Sequence, residues 1–382
     1  MPNTELPWVS RLADVRSQAE LRRFLVSHWP ALERLPERIA VLGAADEGAR
    51  LASLCDSHGI EVAAIVDDDS ARQSKSLGAH CVQPSAALDK LGRDIPVIIA
   101  SHRTVEASRA LKARGFLNVP PFAVLQLLHP ETFPPHMFYL GWLEDLWENR
   151  RRYADLAQRL TDAQSREVLD AVLGYRQTLD PATLADVVRP HDPYVPNDLF
   201  SFGDEEVYVD GGSFDGDTIR LFVDRVAGKY SKVFGFEPDP ETFSRLRANF
   251  ASEPRVVPIN AGLWSKTDIL RFQSGANRAS ILDTCGEIEV KVTALDEVLE
   301  GERATVVKMN IEGAELQALR GSAATLLRHK PKLAIAVYHR PSDLWEAAEV
   351  INEIVPGYEF HLRQHNGGVI ETVLYGKHPD AA

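Results

Sequence analysis

The segment Val207-Tyr208-Val209-Asp210-Gly211-Gly212-Ser213-Phe214-Asp215-Gly216-Asp217-Thr218 runs from apolar residues into an acid and then a glycine turn. A second acid, Glu237, follows Phe234-Gly235-Phe236 and precedes Pro238. These residue types suit an adenosine-containing cofactor. Glycines let the backbone come close, an opening helix offers free N–H groups, and a carboxylate at the next strand end accepts hydrogen bonds from ribose hydroxyls. Farther on, His339 closes an apolar run, and an imidazole has the right pKa range to take a hydroxyl proton near neutrality. Glu312 adds a carboxylate, and Arg340 a planar fork able to orient an anionic or sugar substrate. Each has a plain structural reading too: Glu312 as an acid at a helix N-terminus, His339 as a hydrogen-bonded strand end, Arg340 as the partner of a surface carboxylate.

The elements needed to position these groups are those of a doubly wound α/β domain over about residues 205–382. Strands are expected at Val207–Asp210, Lys232–Glu237, Arg255–Asn260, Val306–Asn310, Lys332–His339, Tyr358–Arg363 and Val369–Tyr375. His365-Asn366-Gly367-Gly368 is a turn signal that makes the last two a hairpin. A nicotinamide dehydrogenase has no need of such an ending, whereas a seven-stranded methyltransferase sheet finishes with one strand inserted antiparallel.

The first 128 residues alternate strand and helix in the same way, which implies a smaller parallel sheet. A leading helix is expected near 12–29, on Leu12, Val15, Ala19 and Phe24. Strands follow at Arg38–Leu42, Glu61–Val66 and Val97–Ala100, with helices at about 48–58 and 104–114. Gly43-Ala44-Ala45-Asp46-Glu47-Gly48 is a broken dinucleotide fingerprint: Ala45 stands where a pyrophosphate needs bare backbone, and two acids repel phosphate. Residues 129–200 form a helical connector, with Leu146, Trp147, Tyr153, Ala157 and Leu160 at helical spacing, and Trp142 and Trp147 read as core. Thr161-Asp162-Ala163-Gln164 reads as a capping box. Val168, Leu169, Val172 and Leu173 then form one stripe, and His191-Asp192-Pro193-Tyr194-Val195-Pro196 ends the connector.

Composition narrows the partners. A formal charge of −13 over 382 residues lacks the basic footprint that nucleic acid or an anionic membrane demands, and Arg150-Arg151-Arg152 reads as a solvated helix face. Cys55, Cys81 and Cys285 have no paired spacing and suit reduced thiols. Met1-Pro2-Asn3-Thr4-Glu5 has no signal-peptide pattern, and apolar runs such as Ile95–Ala100 are strand-length. A cytoplasmic location, no nucleic acid and no integral membrane segment are therefore expected, with an oligomer left open.

Residues about 160–380 resemble the FkbM family of S-adenosylmethionine-dependent methyltransferases. Besides the Val209–Thr218 segment, the matching pieces are Gly235-Phe236-Glu237-Pro238-Asp239-Pro240, Ile259-Asn260-Ala261-Gly262-Leu263 and Val292-Thr293-Ala294-Leu295-Asp296-Glu297. They continue with Lys308-Met309-Asn310-Ile311-Glu312-Gly313-Ala314-Glu315-Leu316 and Ala336-Val337-Tyr338-His339-Arg340-Pro341. The resemblance implies a class I methyltransferase fold, a seven-stranded sheet preceded by a smaller Rossmann-like α/β domain and the helical connector. It implies S-adenosyl-L-methionine as cofactor. The Asp210–Gly216 loop, with Gly211, Gly212 and Phe214, would surround the methionine portion, with Asp215 and Thr218 nearby. Glu237 would hold the ribose, Asn260 and Ala261 would border the adenine, and Asn310 would lie where the methyl group sits. The family tolerates a bulky residue at 214. Relatives usually place Asp where this chain has Asn310, and an amide is neither a general base nor a good ligand for a hard cation; no metal is expected.

The resemblance implies methyl transfer to a hydroxyl oxygen, with His339 as base, Glu312 as the second catalytic residue, Arg340 on the substrate side, and a sugar or glycan precursor as acceptor. A catalytically silent cofactor- or glycan-binding protein remains an alternative, and a nicotinamide-dependent oxidoreductase a weaker one.

Overall fold

The computed structural model describes residues 5–190, 193–272 and 288–381. Met1–Thr4, His191, Asp192 and Cys285, all used above, lie outside the described residues. Two compact units are present. One comprises Met1–Ala157, Arg166–Arg189 and Asn366–Ile370, the other Gln158–Ser165, Pro190–His365 and Glu371–Ala382.

The first unit holds β1 (Arg38–Leu42), β2 (Glu61–Val66), β3 (Ser76–Leu77), β4 (His80–Gln83) and β5 (Val97–Ile99), in the order β3-β4-β2-β1-β5. β1 lies parallel to both β2 and β5. Val66, Val97 and Ile99 from these strands are buried with Leu88, Leu111 and Phe116, as strands covered by helices require. The expected leading helix is two helices, Pro7–Asp14 and Gln18–His28. Val15 takes an extended ψ of 134°, and Ser17 restarts the chain as N-cap by accepting from the Glu20 N–H. The stripe Val168, Leu169, Val172 and Leu173 is buried, as is Trp142.

The second unit is built on β6 (Val207–Gly211), β7 (Lys232–Phe236), β8 (Val256–Ile259), β9 (Gly262–Leu263), β10 (Asp268–Phe272), β11 (Ile288–Thr293), β12 (Val306–Met309), β13 (Lys332–Ala336), β14 (Glu359–Gln364) and β15 (Thr372–Lys377). Seven of these form one sheet, β14-β15-β13-β12-β6-β7-β8, and β10-β11-β9 form a separate small sheet. The pairs from β13 through β8 are parallel. β15 is antiparallel to both β13 and β14, the inserted hairpin strand that the sequence called for. Tyr208 stacks on Phe222 at 4.4 Å, which ties β6 to the helix Asp217–Arg225 within the core of Ile219, Val233, Leu246 and Val306.

The capping expectation at residue 161 is corrected. Asp162, not Thr161, caps the helix Ala163–Thr178, its Oδ1 accepting from Ser165 N at 2.6 Å. The Thr161 N–H is taken by the Phe360 carbonyl.

Candidate active site

Parallel strands end on one edge of the sheet, and open α/β sheets bind ligands outside that edge. In sheet order the edge presents Glu371 before β15, Tyr338 and His339 after β13, Asn310 after β12, Gly211 and Gly212 at β6, Glu237 after β7 and Asn260 after β8. Asn310 and Gly211, about 100 positions apart in the chain, thus become neighbours along one rim.

At β6, Asp210 is fully buried and paired with Lys308 Nζ at 2.7 Å. That ammonium also donates to the carbonyls of Gly211 (3.0 Å) and Gly212 (2.8 Å). The Thr218 hydroxyl donates to the other Asp210 oxygen, joining strand end to helix start. Asp210 is therefore a structural anchor for the turn. Gly212 has φ +76°, and a Cβ there would lie 2.1 Å from the Asn310 carbonyl oxygen. Gly216, at φ +91°, would drive a Cβ into the Phe250 ring. Both positions require glycine. Phe214 occupies the left-handed region at φ +50°, with the Arg245 guanidinium 5.1 Å from its ring centroid. Asp215 pairs with Arg220 at 3.5 Å.

Glu237 is 8% exposed, and its two oxygens accept from Phe214 N and Asp239 N, each at 3.0 Å. Burial pushes its carboxyl up, against the downward pull of those two N–H groups. Each oxygen keeps a further lone pair for a neutral donor, and a ribose diol supplies such donors without adding charge. The Asn260 side-chain amide donates to the Glu237 and Pro238 carbonyls, and Ala261 is buried beside it. The rim from β6 to β8 thus fits an adenosine-bearing cofactor.

The β12–β13 end carries the titratable groups. His339 is 1% exposed, its Nδ1 2.9 Å from Glu315 Oε1 and its Nε2 3.7 Å from Glu312 Oε2. Burial alone would lower its pKa, but the charge of Glu315, its hydrogen bond and the charge of Glu312 outweigh that and raise it to about 9. Burial likewise works to raise Glu315, yet its pairing with the imidazolium and the Ile311 N–H at 2.7 Å hold it down. Asp343, buried next to Glu315, is pushed up to about 7. Its Oδ2 accepts from the Arg340 N–H at 2.8 Å, while the Arg340 side chain is exposed. Asn310 Oδ1 accepts from the Tyr338 hydroxyl at 3.2 Å.

The expected residues are thus gathered along one edge, with Arg340 at its exposed end. Those the sequence reading did not single out are Lys308, Glu315, Tyr338 and Glu371. Lys308 carried a signal, since a lone lysine inside the apolar run Val306-Val307-Lys308-Met309 needs a buried counter-charge. In the first unit, the Ala44 N–H at the broken fingerprint is already taken by Asp67 Oδ2 at 2.9 Å.

Comparison with known proteins agrees with the sheet order. Residues 210–363 match the methyltransferase FkbM domain. A curated relative, the hexuronic acid methyltransferase AglP of Haloferax volcanii, is 28% identical over 210 residues, 53% of this chain and 87% of its own length. The crystal structure of a methyltransferase FkbM from Methylobacillus flagellatus KT superposes with a TM-score of 0.72 at 24% identity, covering 94% of this chain and 100% of that one; this likeness concerns the fold. Sheet and match together define an S-adenosylmethionine-dependent methyltransferase. Within that class, residues 210–363 of this chain carry the match to the FkbM methyltransferase domain. Among the described residues, no helix is long and apolar enough to cross a membrane.

Proposed function

We propose that the protein transfers a methyl group to a hydroxyl of a sugar or glycan precursor, with Glu312 and His339 handling the proton. The observation that carries this reading is the rim itself. Groups suited to ribose and adenine lie at β6–β8, and a buried imidazole flanked by carboxylates lies at the adjoining ends of β12 and β13. The name of the Haloferax relative supports a sugar-type acceptor.

S-adenosylmethionine supplies an electrophilic methyl on a sulfonium. The residues of this chain have two tasks. Asp210, Lys308 and Glu237 fix the loop 211–216 so that cofactor and acceptor meet in line, and such positioning is worth about 7–11 kcal/mol of barrier. His339 accepts the hydroxyl proton at Nε2 when neutral, with Glu315 on Nδ1 fixing the ring and Glu312 stabilising the imidazolium that results. A pKa of about 9 leaves the neutral form a minority near pH 7; a nearby sulfonium charge lowers that pKa and enlarges the neutral fraction. Asn310 holds Tyr338 in place, Arg340 reaches toward the acceptor, and no metal is assigned to the reaction. The first unit serves docking or structure without using NAD, since Asp67 fills the turn a pyrophosphate would need.

Release of S-adenosylhomocysteine from the full chain and S-adenosylmethionine, with simple methyl glycosides as acceptors, tests this. His339→Gln should lower turnover by about 10²–10⁴ with cofactor affinity unchanged. Cofactor binding without turnover of any sugar would remove the acceptor assignment, and full activity in His339→Gln the base.

A further inference from the structure

At the acceptor end of the rim, four carboxylates interact with His339 or with one another. Glu312 and Glu315 flank His339. Glu371 precedes β15, where the Val337 N–H pairs with the Thr372 carbonyl and the Glu371 carbonyl accepts from His365 N. This register puts Glu371 directly beside the Tyr338–His339 end of β13. Its half-buried carboxyl interacts electrostatically with Lys308, His339 and Asp217, and Asp217 opens the helix after the glycine turn.

Of the cations nearby, the two buried ones are committed, and Arg340 lies at the solvent-exposed end of the rim. Lys308 is held by Asp210 and two carbonyls, and His339 lies between two glutamates. The balance at this end is therefore negative.

Two further observations mark Glu371 as part of a ligand-binding wall. Tyr194 is 3% exposed, and its hydroxyl finds no hydrogen-bond partner among the described residues. That phenol interacts electrostatically with Tyr338, Glu371 and Glu315, and its ring centroid lies 5.2 Å from Lys308 Nζ. Buried tyrosine hydroxyls normally have partners, so an orphan within electrostatic reach of this cluster suits a hydroxylated ligand. In addition, Tyr194 (φ +74°), Glu312 (φ +56°) and Glu371 (φ +65°) all hold the left-handed backbone conformation. Non-glycine residues adopt it at a cost, and such residues cluster at ligand sites.

We infer that the acceptor end of this site is built for an uncharged or cationic polyol, and that Glu371 selects it by accepting hydrogen bonds from acceptor hydroxyls and repelling a carboxylate-bearing sugar. This rests on the sugar-acceptor reading above and departs from the hexuronic acid in the name of the Haloferax relative. Like charges set against each other are a strong discriminator, and the amide of Glu371→Gln keeps size and acceptor oxygen while removing the repulsion.

The test compares methyl glucoside, methyl glucuronide and the methyl glycoside of glucosamine as acceptors, with kcat/KM read from S-adenosylhomocysteine release by the full chain. Wild type should favour the neutral and cationic glycosides over the glucuronide by about tenfold or more. Glu371→Gln should shrink that preference at least severalfold, mainly through KM, with the affinity for S-adenosylmethionine unchanged. A wild-type preference for the glucuronide, or the same preference in both proteins, overturns the inference while leaving the sugar-acceptor reading intact. No turnover of any of the three by a wild type that binds cofactor overturns both. Glu371→Asp, which restores the charge, should recover discrimination; its failure to do so would mean that Glu371 acts through backbone conformation and not through charge.

Discussion

Lys308→Met is the sharpest probe of how the cofactor loop is held. Methionine keeps the apolar stem but removes an ammonium 2.7 Å from Asp210 Oδ1, 3.0 Å from the Gly211 carbonyl and 2.8 Å from that of Gly212. Asp210 has no exposed surface, so water cannot replace the lost charge. Breaking one side of a buried ion pair costs about 3–5 kcal/mol. Thr218 still donates to Asp210, which places the expected loss toward the lower bound. At about 2–4 °C per kcal/mol for a unit of this size, the midpoint should fall by roughly 6–16 °C. Because the two released carbonyls belong to the glycine turn, affinity for S-adenosylmethionine should fall as well. Urea and thermal unfolding followed by circular dichroism give the loss of stability and the midpoint shift, and calorimetry the cofactor affinity. Adding Asp210→Asn should restore part of the stability, since an amide tolerates the site without a counter-charge. A Lys308→Met protein within about 1 kcal/mol of wild type, or a double variant less stable than Lys308→Met alone, would refute the account.

Glu237→Ala should weaken S-adenosylmethionine binding by about 1.5–3 kcal/mol, the worth of hydrogen bonds to a charged acceptor; unchanged affinity by calorimetry removes the ribose assignment. With His339 raised to about 9, its proton stabilises the fold fully below about pH 6.5, and up to about 3 kcal/mol is lost as pH rises through 9. Asp343, raised to about 7 by its burial beside Glu315, gives a separate loss at lower pH, between about 4 and 7. The pH dependence of stability between about pH 6.5 and 9 should flatten in His339→Gln, and an equally steep profile would contradict it. Turnover should persist in EDTA, because Asn310 offers an amide already engaged by Tyr338 and Glu315 is paired with His339 at 2.9 Å. Loss on chelation with recovery in magnesium would put a cation at this end of the rim.

Much of the fold was legible because periodicity and turn chemistry act locally. The apolar runs ending at Asp210 and Glu237 became β6 and β7 with only the terminal residue shifted, and the Asn366-Gly367-Gly368 turn does connect antiparallel strands. β15 begins at Thr372, later than the apolar pattern beginning at Val369 suggested, because Glu371 leaves the extended region. The small sheet of β9, β10 and β11 escaped notice. β9 spans Gly262–Leu263 alone, and Ile269 in β10 is more than half exposed, so no buried alternation marks these strands. At residue 161 two hydroxyl- or carboxylate-bearing neighbours competed for one cap. The choice fell to Asp162 because Phe360, nearly 200 residues away, claims the backbone of Thr161.

The site was legible as a set of residue types and not as a set of partners, since partners are fixed by sheet order. No local pattern says that Glu315 will neutralise His339 or that Glu371 will stand beside Tyr338; the crossing of strands does. Backbone strain is equally invisible in sequence, and at Glu312 it yields a separate test. This residue holds φ +56°, where glycine is favoured over a side chain by roughly 1 kcal/mol. Its carboxylate is 47% exposed and lies 3.7 Å from His339, so the fold gains little from it. Glu312→Gly should therefore stabilise the protein slightly or leave it unchanged, while removing one of the two charges that hold the imidazolium. If Glu312 serves the proton transfer, turnover falls as stability holds or rises, the trade expected of a strained functional residue. If stability falls and turnover is untouched, the strain at this position belongs to the turn and not to the chemistry.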